Sequence, residues 1–140
     1  MSPKQSNRDR AWRRLVTFVM DGRWDWRHKM SEAAGLPFSR VRALDRLRHG
    51  PLTLRMLADV IGTDAPAATV IVNDLEARGF VVREAHADDK RSKVVSLTAD
   101  GRRVLKDADT VRDRAPAAFD VLTDSEVSEL IRIVDRLGSE

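Results

Sequence analysis

The segment GFVVREAHADDKRSKVVSLT, residues 79–98, sets two valine-rich runs, 81–85 and 94–97, around a loop dense in Asp, Lys and Arg. Branched residues in short runs favour strands, which predicts a β-hairpin whose tip carries charge of both signs. A two-stranded hairpin is marginal alone in water, so it must lean on helices. The preceding residues supply them. Asp64 is a good N-cap and Pro66 falls in a first turn, where its missing N–H is tolerated, so a helix is predicted from about residue 64 to Gly79. Its inward stripe is Ala68, Ile71, Val72 and Leu75. Before it, Thr53 caps a short helix reaching Ile61, with Leu54, Leu57, Ala58 and Ile61 inward and Gly62 closing it.

Two helices joined by a tight turn make a helix-turn-helix, whose second helix commonly enters the DNA major groove. On spacing alone, an ordinary helical hairpin is the better explanation. The charged β-hairpin that follows at once turns the balance toward a winged helix. It also gives the tip a purpose, because a cation there can enter the narrow, electronegative minor groove. Asp89 and Arg91 suit such a pair, the acid holding the arginine in one pose, with Lys90 and Lys93 reaching phosphates. The plainer alternative is a solvated turn whose charges neutralise one another.

Working outward, residues 10–34 carry Trp12, Leu15, Val16, Val19, Trp26 and Met30 near helical spacing, ended by Gly35 and Pro37. A second helix, about 38–48, lines up Phe38, Val41, Leu44 and Leu47. After the hairpin, Thr98 opens a long helix with Val104, Ala108, Val111 and Ala115 in register, ended by Pro116. The last helix starts at a capping box of Thr123 and Glu126, and its stripe is Val127, Leu130, Ile131, Val134 and Leu137. The expected fold is mainly α with a small β-hairpin wing. Terminal helices in so short a chain have little core of their own to cover, so a homodimer formed through them is expected. The expected parts of this one compact domain are an arm and dimerisation helix (1–36), the winged helix-turn-helix (37–98) and C-terminal dimerisation helices (99–140).

Composition narrows the function classes. At 140 residues with 42% hydrophobic and 34% charged side chains, the chain suits one globular domain and not wholesale disorder. No apolar run approaches the roughly 20 residues of a membrane span, and the basic N-terminus lacks a signal-like apolar core, so the cytoplasm is the expected location. There is no cysteine, hence no disulfide and no thiolate metal site. The net charge of +3 is uneven: residues 107–140 carry nine acids against four arginines, leaving the first 106 residues strongly basic. Such a split suits a polyanion on one surface. Lys4, Arg8, Arg10, Arg13 and Arg14 make the N-terminal arm a candidate for phosphate contacts.

The runs PLTLRMLADVIG (51–62), LEARGFVVREAHADDKRSKVVSLTADGRRVL (75–105) and LTDSEVSELIRIVDRL (122–137) resemble the MarR (multiple antibiotic resistance regulator) family of bacterial transcription factors. The resemblance covers about residues 36–137 and is most specific from LEARG through SLTADG. It implies a winged-helix dimer that binds double-stranded DNA, usually as a repressor released by a small ligand. It further implies that Asp89 and Arg91 form the wing's Asp-x-Arg, with Arg91 in the minor groove.

The recognition helix departs from the family pattern. Its outward residues are Ala65, Pro66, Ala67, Thr69, Val70, Asn73 and Asp74, with no Arg, Lys or Gln for bidentate contact to a base. Thr69 and Asn73 can still hydrogen-bond, and methyl groups can meet thymine methyls. Thr53 is a candidate phosphate contact. The competing expectation is a winged-helix dimer that has lost specific DNA binding and serves as a ligand sensor or protein-interaction module. By the same resemblance an aromatic or phenolic ligand would bind near the first helix, making Trp24 and His28 candidate pocket residues, against the plainer reading that tryptophans there fill core or interface.

Catalysis is not expected. His28, His49 and His86 stand in no metal-ligand spacing, and no phosphate loop, dinucleotide fingerprint or nucleophile elbow occurs. Asp88 and Asp89 sit on the hairpin tip without a pocket to tune their acidity. No cofactor and no metal are expected.

Overall fold

The computed structural model describes residues 6–85, 88 and 93–139. Its order is α1 (Asn7–Ala34), α2 (Phe38–Leu47), β1 (Leu52–Thr53), α3 (Leu54–Ile61), α4 (Ala65–Ala77), β2 (Val81–Ala85), β3 (Lys93–Leu97), α5 (Ala99–Arg112), a 3-10 turn at Ala117–Val121, and α6 (Asp124–Leu137). The mainly helical fold with a small antiparallel sheet is the one expected.

Caps set most boundaries. Thr53 accepts from the Met56 N–H, Asp64 from Ala67, Thr98 from Gly101, and Thr123 from Glu126, whose carboxylate accepts in turn from the Thr123 N–H. Each satisfies an N–H that has no partner within its own helix. Gly35 and Gly62 close α1 and α3 at φ of 68° and 72°, a left-handed conformation that costs glycine little.

The core is built from the stripes of α2, α3 and α4: Val41, Leu44, Leu47, Leu57, Ile61, Val72 and Leu75 are all buried. Val81 and Val95 from the sheet and Leu105 and Ala108 from α5 complete it. The predicted hairpin does rest on helices, and it also gains a third strand. β1 pairs antiparallel with β3, Leu52 opposite Val95, giving the sheet order β1-β3-β2.

Two boundaries differ from expectation. Helix α1 begins at Asn7 rather than residue 10, because the Ser6 hydroxyl accepts from the Asp9 N–H. Helix α5 stops at Arg112, so Ala115 lies outside it. The residue before a proline is disfavoured in helical conformation, and Pro116 instead leads into the 3-10 turn. The apolar stripe of α1 is mostly uncovered within one chain: Met30 is buried, while Trp12, Leu15 and Val19 are exposed.

Candidate nucleic-acid interface

Helix α4 is two-sided. Ala68, Ile71, Val72 and Leu75 anchor it in the core, so the opposite side faces out by helical geometry. Ala65, Pro66, Val70 and Asn73 are exposed there, and Ala67 and Thr69 are half-buried. Val70 alone is 59% exposed, a branched apolar side chain held in water on a helix whose other face is fully packed. The Thr69 hydroxyl donates to the Ala65 carbonyl at 2.9 Å. Thr53 is half-buried, its oxygen engaged as the α3 cap.

The cations near α4 come from neighbouring elements, which the sequence reading missed. Arg83 on β2 shares the sheet's inner face with Val81 and pairs across to buried Val95, so its stem lies over the core edge. Its Nη2 donates to Asn73 Oδ1 at 2.6 Å, and its Nη1 lies 3.7 Å from the Glu76 carboxylate. Asp74, read as outward, is held from both sides, by Arg40 of α2 at 3.2 Å and Arg78 at 3.1 Å. Hydrogen bonding from Arg78, then from Arg40, lowers the Asp74 carboxyl from its ordinary range. Sequence gives one hint of this arrangement: Arg83 is the charged residue on the face of β2 that also carries a buried valine.

Lys93 opens β3 and is exposed. Asp89, Lys90 and Arg91, the expected wing tip, lie outside the described residues. Trp24 is 73% exposed on α1, and His28 beside it forms an exposed pair with Glu32 at 3.1 Å. Shallow depressions on the single chain are lined by Arg13, Arg14, Thr17 and Phe18, and by Lys106, Asp109, Thr110, Asp113 and Arg114, so neither includes Trp24 or His28. Among the described residues no helix is long and apolar enough to cross a membrane, and no group of three or more His, Cys, Asp or Glu is placed to hold a metal ion.

The pattern of the MarR family matches residues 34–92, the span from the end of α1 to just before β3. The transcriptional regulator HosA of Escherichia coli O127:H6 is 28% identical over 88% of this chain and 90% of its own length. The chain is thus similar to the MarR family, in its central segment and along most of one curated relative. The curated relatives that match are transcriptional regulators and not enzymes. Solved structures agree on the fold: apo MarR of E. coli superposes with a TM-score of 0.77 at 21% identity, covering 89% of this chain and 93% of that one. A mutant of Staphylococcus aureus MepR, solved bound to an oligodeoxyribonucleotide, gives a TM-score of 0.67 at 17% identity over 91% and 96% of the two chains.

Proposed function

We propose that this regulator binds a pseudo-palindromic operator as a homodimer and acts as a repressor that a small aromatic or phenolic ligand releases. The observation that carries the reading is the free outer face of α4, firmly backed by core and flanked by the β2–β3 hairpin. Each protomer sets Ala65, Pro66, Ala67, Thr69, Val70 and Asn73 in a major groove. The wing, with Asp89, Lys90, Arg91 and Lys93, crosses the adjacent minor groove, and Thr53 meets the backbone. A relative of this fold, MepR, has been solved with an oligodeoxyribonucleotide, which supports the mode of use. Val70 and the alanines offer methyl contacts to thymine.

The dimer reading is supported by apolar side chains on the terminal elements. Trp12, Leu15, Phe18, Val19 and Met20 on α1, with Ile131, Val134 and Leu137 on α6, are exposed in the single chain. Trp24 and His28 would line a ligand site completed by the second copy.

A second reading, a dimer that binds a protein in place of DNA, is favoured by the exposure of Met56 and Val60 on α3 and of Val70 on α4. The two are separated by titrating the purified protein, at fixed salt, onto the DNA upstream of its own gene, with Arg91→Ala alongside. The parent shifts that DNA, and the variant binds about 1–3 kcal/mol more weakly, the worth of one good groove contact. Equal affinity of the two proteins contradicts the wing assignment. Failure of the parent to bind any duplex favours the protein-partner reading.

A further inference from the structure

Resting on that reading, we infer that Arg83 fixes the orientation of the Asn73 side-chain amide and so makes the recognition helix prefer guanine where Asn73 meets the major groove. Arginine carries only donors, so the atom of Asn73 that faces it, 2.6 Å from Nη2, is the amide oxygen. The Asn73 amino group is thereby turned away from Arg83, on an exposed side chain of the outward face of α4. A free asparagine reads adenine with both ends of its amide, accepting from N6 and donating to N7. Asn73 has its oxygen engaged and offers its donor end. The remaining N–H groups of Arg83 lie beside it, since that guanidinium uses Nη2 on Asn73 and directs Nη1 toward Glu76.

The pair therefore leads with donors: the Asn73 amino group is free for the groove, while its oxygen, which keeps a second lone pair, is turned toward Arg83. Guanine is the base that meets such a pair with two adjacent acceptors, N7 and O6. One turn earlier the polarity reverses. The Thr69 hydroxyl has given its proton to the Ala65 carbonyl and keeps only acceptor lone pairs for the groove. The structure thus writes a short polar code on a helix whose outward residues from Ala65 to Val70 are otherwise apolar: acceptor at Thr69, donor at Asn73. Arg83 acts here both by orienting Asn73 and by setting its own donors beside it, and Glu76 together with Asn73 keeps its guanidinium at the helix edge.

The test is selection of bound sequences from a duplex library with randomised half-sites, using the full-length protein. The parent enriches guanine over adenine at one position in each half-site, by at least about five-fold, the lower end for one base contact. In Arg83→Met the amide is free to turn, and the preference at that position moves to adenine. In Asn73→Asp the pair with Arg83 is kept while the donor is lost, and the preference moves to cytosine, whose N4 amino group donates to a carboxylate. Because Asn73 is exposed, the second variant keeps the experiment decisive even if Arg83→Met folds poorly. A purely structural Arg83 would change affinity for all sequences alike and leave base identity untouched. Adenine in the parent, or the same base in parent and variants, overturns the inference while leaving DNA binding intact. Absence of any enriched sequence overturns the proposed function together with it.

Discussion

Asp109 on α5 takes both terminal nitrogens of Arg48, at 2.9 and 2.8 Å, and Arg112 lies 3.5 Å away. Arg48 also bonds Asp45 at 2.9 Å, and Arg112 reaches the same Asp45 oxygen at 3.0 Å. Four side chains thus fasten the end of α2 to the last turns of α5. The bond from Arg48 holds the Asp109 carboxyl below its ordinary range, and the bond to Asp109 raises Arg48 in return. A carboxylate depressed in the folded state stabilises above its unfolded pKa, about 3.9 for Asp, and that stability drains away as pH falls through the lower folded value. Asp109→Asn is therefore expected to cost about 1.5–3 kcal/mol at pH 7, the range for hydrogen bonds to charged groups. Denaturant titrations of parent and variant at a series of pH values check this. The gap between them narrows below about pH 4; a gap independent of pH contradicts the role given to Asp109.

At the scale of elements, the wing is fastened to α5 by close backbone approach. The Thr98 N–H and hydroxyl donate to the carbonyls of Phe80 and Gly79, and Gly101 packs so near that a Cβ there would overlap the Phe80 carbonyl oxygen. Gly101→Ala must push α5 away from the start of β2, at an expected cost of about 1–3 kcal/mol. The midpoint of thermal unfolding measures it, and an unchanged midpoint contradicts this account of the contact. These elements also show what a sequence reveals. Thr53, Asp64, Thr98 and Thr123 could be recognised as caps because capping is local, needing one side chain and an N–H three residues on. Strand β1 could not, since two residues carry no periodicity and exist as a strand only through pairing with β3. The same limit hid the chemistry beside α4. Ten positions separate Asn73 from Arg83, and thirty-four separate Arg40 from Asp74, so only the packed structure brings them together.

For the whole molecule, the uncovered stripes of α1 and α6 are the main unfinished business of a single chain. No residue of α6 is buried, and Leu137 is 71% exposed, although the helix has a full capping box and a continuous apolar face. The ring of Phe119 in the 3-10 turn lies 6.1 Å from that of Phe18 on α1, which ties the approach to α6 onto the first helix. In the proposed dimer a second copy covers these faces and sets the spacing between the two α4 helices. Ile131→Asp combined with Leu137→Asp places charge on that seam, and sedimentation is expected to show a dimer for the parent and a monomer for the variant. A variant that remains dimeric places the interface elsewhere. The most direct test of the central claim is a hydroxyl-radical footprint on a bound duplex. Two copies of α4 and wing predict two-fold symmetric protection, with half-sites about one helical turn, or roughly 10 base pairs, apart. A single unpaired patch of protection, or none on any duplex, contradicts it.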